Sequence, residues 1–405
     1  LLMICFVCSL QAVVAADGSN ATDVVKATHT DVVGSTDVSA YSLPDSNQIL
    51  RGSENAGTFT DLQNNLTGKT EVTLKNNFTY DSSKDSGLVN GITISDSITI
   101  DGQGKVIIDA NKQDRVFNIA SGATVTLKGI TFINGNANGN GGSIVSEGKL
   151  TLENCNFINN TASGHGGAVY LGSSDGDKIT NCNFEGNVAG SNGGAVDWYA
   201  GSSNGEVLGS NFKNNTAKRS GGAIHWSGHN GTISNTNFTG NKATGEVISD
   251  IGGVLGGGDG GAVLWVGSHG IIKDNCNFIN NFAQYRGGAI FLHGNSTENC
   301  AITTVTNCNF EDNIAGLNGG AIDWQRGANN GTLSYSNFTN NTAWRSGGAV
   351  YWYGNDGNIT WCRFEDNHAI GNVSEHNKGV ATYTTNGGNG GAIIWTGALG
   401  RVNYS

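Results

Sequence analysis

Two aspartates and three glutamates recur at equivalent places in this 405-residue chain. Paired carboxyl groups are what hydrolysis of a glycosidic bond requires, and such a pair must sit about 5 to 10 Å apart. Asp197 and Asp323 each precede a Trp in a repeated GGAVDW or GGAIDW segment. Four repeat units separate them, roughly 19 Å at the spacing of stacked strands. Glu185, Glu311 and Glu365 each follow a recurring Phe, and the closest two flank a unit that carries Thr339 instead. Acids so dispersed read as charges that keep a sheet soluble, and no catalytic residue is assigned.

Other residue types invite a binding reading. Trp198, Trp226, Trp265, Trp324, Trp352 and Trp395 each stand five residues after the first Gly of a Gly-Gly pair. They could stack sugars, but each shares strand parity with a core-type Ile or Val two residues before, so a buried row is expected. Alternation then turns Tyr170, Asp197, His225, Leu264, Phe291, Asp323, Tyr351 and Ile394 outward. That mixed stripe is the candidate ligand face, with Tyr170, Asp197, His225, Phe291, Asp323 and Tyr351 as its residues.

Cys155, Cys182, Cys276, Cys308 and Cys362 precede the recurring Phe by two, where other units have Ser210, Thr236 and Ser336. The interchange points to a slot for a small side chain and to buried thiols, with disulfides between neighbouring units as the alternative. Cys5 and Cys8 fall in the apolar N-terminal run, and Cys300 in an insertion without an assigned role. His225, His229 and His269 show no ligand spacing, so neither metal nor cofactor is expected. DIGGVLGGGDGG lacks the Lys-Ser/Thr of a phosphate loop and reads as an insertion. Sequons are dense, and Asn159, Asn214, Asn237, Asn337 and Asn340 are glycosylation candidates.

What must position these residues is a repeat. Gly-Gly followed by Ala or Ser and then Ile or Val occurs nine times, from Gly141 to Gly390, each preceded by a Phe from Phe132 to Phe364. Asn follows eight of the nine Phe by three residues, and Ala follows all nine by five. Short period-2 runs between Gly/Asn turns, without a helical period, fit a parallel β-helix in which each unit makes one coil. Phe would stack on Phe, the Asn three residues on would take left-handed geometry and form an amide ladder, and the Gly pair would permit positive φ and close approach. The expected fold is an all-β, right-handed parallel β-helix over 55–405. Phe59, Leu62 and Leu66, with Thr58 or Thr60 as N-cap, predict a short helix that covers its first coil. The insertions at 242–259 and 368–389 leave the same turn and should project from one side.

Composition narrows the class. With 63 Gly but one Pro, the chain cannot be collagen, and 37% hydrophobic residues can bury a core. A net charge of −11 offers no footprint for nucleic acid. Residues 1–16 (LLMICFVCSLQAVVAA) resemble the apolar region of a secretory signal short of a membrane span, and 17–54 read as a polar linker. No later segment is long and apolar enough to cross a bilayer. GRVNYS aligns with the strand-forming GEVLGS, so further coils are expected to follow.

The Gly-Gly-Ala-Ile and Phe-x-x-Asn repeats resemble those of chlamydial polymorphic outer-membrane proteins. Together with SITIDGQGKVIIDA, DRVFNI and TVTLKGITFING, the pattern is more similar to adhesin-like surface proteins of methanogenic archaea. The resemblance covers about residues 56 to 405 and implies a secreted, surface-displayed protein with an adhesive role, without naming a ligand. The expected function is a monomeric, stiff rod at the cell surface that binds extracellular glycans or neighbouring cells. A polysaccharide lyase or hydrolase and a cell-envelope spacer are the alternatives.

Overall fold

The computed structural model describes residues 56–245, 257–294, 303–371, 390–398 and 400–403. The expected signal, the linker, Cys5, Cys8 and Cys300, and most of both insertions lie outside them. The chain is a right-handed parallel β-helix with one short helix near its start. Each coil contributes to three walls, as in Lys178–Thr180 with Asn183–Glu185, then Val188–Ala189, then Val196–Trp198. Stacked coils give sheets of 21, 9 and 11 strands among the described residues, here called the Phe, Ala and Trp sheets. The pairing is parallel and sets like on like: Phe157 beside Phe184, Ala162 beside Ala189, Trp198 beside Trp226. In-register stacking rewards repetition because every side chain meets a copy of itself.

The interior follows from that register. Phe132 to Phe364 form one continuous stack with centroids 4.7 to 5.1 Å apart and planes within 11° of parallel. Trp198, Trp226 and Trp265 stack at 4.2 and 4.6 Å, Leu292 interrupts the row, and Trp324, Trp352 and Trp395 resume it. The Trp row is buried from Trp198 to Trp352, as its shared parity with Ile and Val implies. Asn160, Asn187, Asn215 and their successors form a buried amide ladder. Asn187 Nδ2 donates to Asn215 Oδ1 at 2.9 Å and to Phe157 O at 2.9 Å, which satisfies polar groups that sheet geometry leaves inside.

Two expectations are corrected in detail. The left-handed residue of this turn is the one two places after each Phe, such as Asn159 (φ 56°) and Asn214 (φ 55°), and the ladder Asn beside it has no positive φ. One turn residue supplies the conformation while the next supplies the amide. The Cys slot needs more than small size: Ser210 Oγ accepts the Cys182 N–H at 3.1 Å, and Cys182 Sγ that of Cys155 at 3.4 Å. Cys182, Ser210, Thr236 and Ser336 thus accept from the coil before them, a role that Cys, Ser and Thr can fill and Ala cannot. The five thiols are free and buried.

The Gly pair divides its work likewise. Gly221 sits at φ 67°, whereas a Cβ on Gly222 would strike the carbonyl of Gly261 in the next coil. Helix α1 (Phe59–Leu66) starts at Thr58 with a capping box to Asp61 and buries Phe59, Leu62 and Leu66. Its first N–H groups also donate to the Asp85 carboxylate, from Phe59 at 3.0 Å and Thr60 at 2.8 Å. No helix of the described residues is long and apolar enough to cross a membrane.

Candidate binding surface

Tyr170, Asp197, His225, Leu264, Phe291, Asp323 and Tyr351 form one column on the outer side of the Trp sheet, each beside the next in register. The column exists, but it is not the open stripe that alternation suggested. Asp197, Phe291 and Asp323 have no exposed surface and His225 has 7%, while Tyr170 and Tyr351 are half-buried. Parity separates inside from outside of the coil and carries no information on what lies over the outside. The cover comes from the turn before each Gly-Gly pair. His165 reaches Asp197 at 3.0 Å, and Arg286 lies 4.5 Å over the Phe291 ring while holding Asp259 through two 2.9 Å hydrogen bonds.

Charge along this column is uneven. Burial would raise the Asp197 carboxyl, but the charge of His225 and hydrogen bonds from His165 and His225 hold it below the usual carboxylate range. Burial pushes the Asp323 carboxyl up to about 8, against the pull of the Arg286 guanidinium and the Gln325 hydrogen bond, and the Asp259 charge adds to the rise. Burial, with the nearby charges of Asp197 and Glu147, pushes the Tyr170 phenol up to about 12. Asp197 and Asp323 are four rungs apart on the sheet, as the repeat count implied. The sheet-surface acids are elsewhere: Glu185 pairs with Lys213 at 2.9 Å and Glu365 with Arg363 at 2.7 Å.

The register gathers His165, Asp197 and His225, which sequence spacing kept apart, because 28 and 32 residues of chain amount to one coil and its turn. His229 and His269 lie at Ser268 Oγ instead, at 2.8 and 3.1 Å. Of the sequons, Asn159, Asn214, Asn337 and Asn340 are exposed. Asn237 is tied into a second amide ladder by Asn211 and Asn277, at 2.9 and 2.8 Å.

One surface feature escaped the sequence reading. Three residues before each ladder Phe the backbone is left-handed, and the first seven coils place there Gly129, Asn154, Asn181, Gly209, Asn235, Asn275 and Asn307. These are the types that tolerate it. The next two coils place Tyr335 (φ 50°) and Trp361 (φ 57°) at the same point. Both are exposed, 61% and 54%, and their rings are parallel within 4° at 6.4 Å. The signal was available: a Tyr and a Trp in a column that otherwise holds Asn and Gly. By contrast, a shallow trough of about 540 Å³ on the Ala sheet, with Asn136, Thr161, Ser163 and Lys218 in its wall, has no aromatic lining.

The family model described as right handed beta helix region matches residues 152–323. No curated protein matches the chain. Among solved structures the chain is similar to PfbA, a surface adhesin of Streptococcus pneumoniae, at 12% identity over 77% of this chain and 89% of that one, with a TM-score of 0.39. It is also similar to the catalytic domain of a GH87 alpha-1,3-glucanase, at 11% identity over 78% of this chain and 64% of that one, with a TM-score of 0.37. Family match and coordinates agree on the architecture: the chain is a right-handed parallel β-helix.

Proposed function

We propose that the protein is a secreted, surface-displayed β-helical rod that binds extracellular glycans, and that Tyr335 and Trp361 are its contact surface. The observation that carries this reading is the pair itself. A left-handed backbone costs a bulky residue about 1 to 2 kcal/mol relative to Asn or Gly. Strain of this kind persists where the surrounding structure enforces it, and it clusters at binding sites. Two exposed, parallel rings on successive coils offer a rigid apolar surface with little side-chain freedom to lose, which suits apolar contact with a sugar ring. Hydroxyl and amide groups border that surface, with Ser334 Oγ on Thr306 Oγ1 at 2.9 Å and exposed Asn307 one coil before Tyr335. The apolar run at 1–16 and the repeat resemblance supply the surface setting.

The test is retention of the purified chain on immobilised plant, mucin and microbial polysaccharides, with mass spectrometry of the glycan afterwards. Tyr335→Asn and Trp361→Asn should each weaken retention at least about tenfold, as loss of an aromatic anchor does. The same substitutions should stabilise the fold by about 1 kcal/mol, because Asn relieves the left-handed strain. Retention unchanged in the double variant would remove this site, and shortened glycan chains would replace the binder by an enzyme.

A further inference from the structure

We propose that His165, Asp197 and His225 bind one late first-row divalent cation, with zinc the ion that their donor set fits best. The three ligand atoms lie within 4.8 Å of one another. Asp197 Oδ2 is 3.0 Å from His165 Nδ1 and 2.8 Å from His225 Nδ1. Ligands held at about 2.0 to 2.2 Å from a tetrahedral zinc stand about 3.3 to 3.6 Å from each other, so the two carboxylate–imidazole distances open by a few tenths of an ångström while the two imidazole nitrogens, within 4.8 Å of each other, settle to the same spacing. Two imidazoles and one carboxylate form the three-ligand set of open zinc sites, whereas calcium and magnesium require oxygen donors.

Burial and the outer contacts favour a cation at this point. Asp197 has no exposed surface, and its second oxygen, Oδ1, has no hydrogen-bond partner. A buried, incompletely paired carboxylate is costly unless a cation shares its charge. His225 Nε2 lies 3.0 Å from Ser227 Oγ, which can accept the Nε2 proton and leave the Nδ1 lone pair for the metal. The backbone of His165 is fixed on both sides: its N–H donates to Asn140 Oδ1 at 2.9 Å and its carbonyl accepts from Gly141 at 2.8 Å. The His165 side chain is 32% exposed, so the remaining coordination position opens to solvent beside Tyr170, the register neighbour of Asp197. Binding moves each Nδ1 proton to Nε2 or to solvent, and the cation takes the place of the two hydrogen bonds that now converge on Oδ2.

The full chain, stripped with a chelator, is titrated with Co2+ while visible absorption is read, and then with Zn2+. One equivalent of Co2+ should give the absorption bands of a low-coordinate imidazole–carboxylate site, Zn2+ should abolish them, and Ca2+ and Mg2+ should do neither. Zn2+ at about 100 times its Kd should raise Tm by the equivalent of about 2.7 kcal/mol. His165→Gln, at a partly exposed position that leaves the coils intact, should lose the bands, and Ser227→Ala should weaken binding about 10- to 100-fold. Asp197→Asn should also lose them. Bands that persist in His165→Gln, or thiolate-to-cobalt bands from the buried cysteines, would overturn the assignment. So would the absence of a one-equivalent endpoint. Glycan retention is read separately, so failure here leaves the Tyr335–Trp361 reading standing.

Discussion

Asp323 shows what a single side chain contributes once its cover is known. With its carboxyl pushed up to about 8 by burial, the folded chain keeps a proton that the unfolded chain gives up near pH 4. Between those values the native state binds more protons, so stability falls as pH rises through the window, with a slope approaching about 1.4 kcal/mol per pH unit. Asp323→Asn should remove that dependence, and urea melts at pH 5 and pH 8 should then differ by less than in the parent chain. An equal difference in both proteins would mean that Asp323 does not hold its proton. The sequence placed Asp323 and Asp197 on the outer side of their strands but could not show them buried. Their cover belongs to turn residues in other coils, His165 and Arg286, and nothing in strand parity refers to them. Tyr335 and Trp361 were legible only by comparing one turn position across coils, since the anomaly lies in residue type and not in hydropathy.

At the scale of the element, ladders were the most legible part of the chain. An interior position repeated in register must stack on itself, so the Phe and Trp rows and the amide ladder could be read from spacing alone. What the repeat did not reveal is how neighbouring positions share the work. A left-handed Asn and an inward Asn differ by one residue and look alike in sequence. A further pattern went unused: Gly231, Gly270, Gly331, Gly357 and Gly400 follow their Trp by five or seven residues, and a Cβ on any of them would enter the indole ring. Each of these interior Trp rings therefore requires a Gly in the following turn. Phe212, 1% exposed and stacked at 4.7 and 5.1 Å between Phe184 and Phe238, is the test of a ladder. Phe212→Ala leaves a cavity that two flanking rings fixed by their own coils cannot fill, and should cost about 3 to 5 kcal/mol. Chemical denaturation measures it, and a near-neutral change would mean that the stack adds little beyond its pairing.

The whole molecule is a one-dimensional array, in which a coil touches the coils before and after it and nothing further. Its stability is then a sum over neighbours, and removal of one complete coil should leave two good faces to meet. Deletion of 193–220 joins Asn192 to Gly221 at the same point of the repeat. It brings Phe184 against Phe238, Asn187 against Asn241 and Leu171 against Trp226, all kinds of match that adjacent coils already make. The shortened chain should keep its β-rich circular dichroism and one cooperative melt at a somewhat lower Tm. Deletion of 193–205 removes the Trp-sheet strand Val196–Trp198 and its turn while keeping the Phe-sheet strands Glu206–Leu208 and Asn211–Lys213. The three walls then fall out of step, and the product should aggregate. The complete-coil deletion also separates the two sites: it removes Asp197 and should abolish the cobalt bands, while Tyr335 and Trp361, several coils further along the rod, should hold glycan as before. Loss of glycan retention together with the metal signal would show that the coils are coupled beyond their neighbours and that the array description fails.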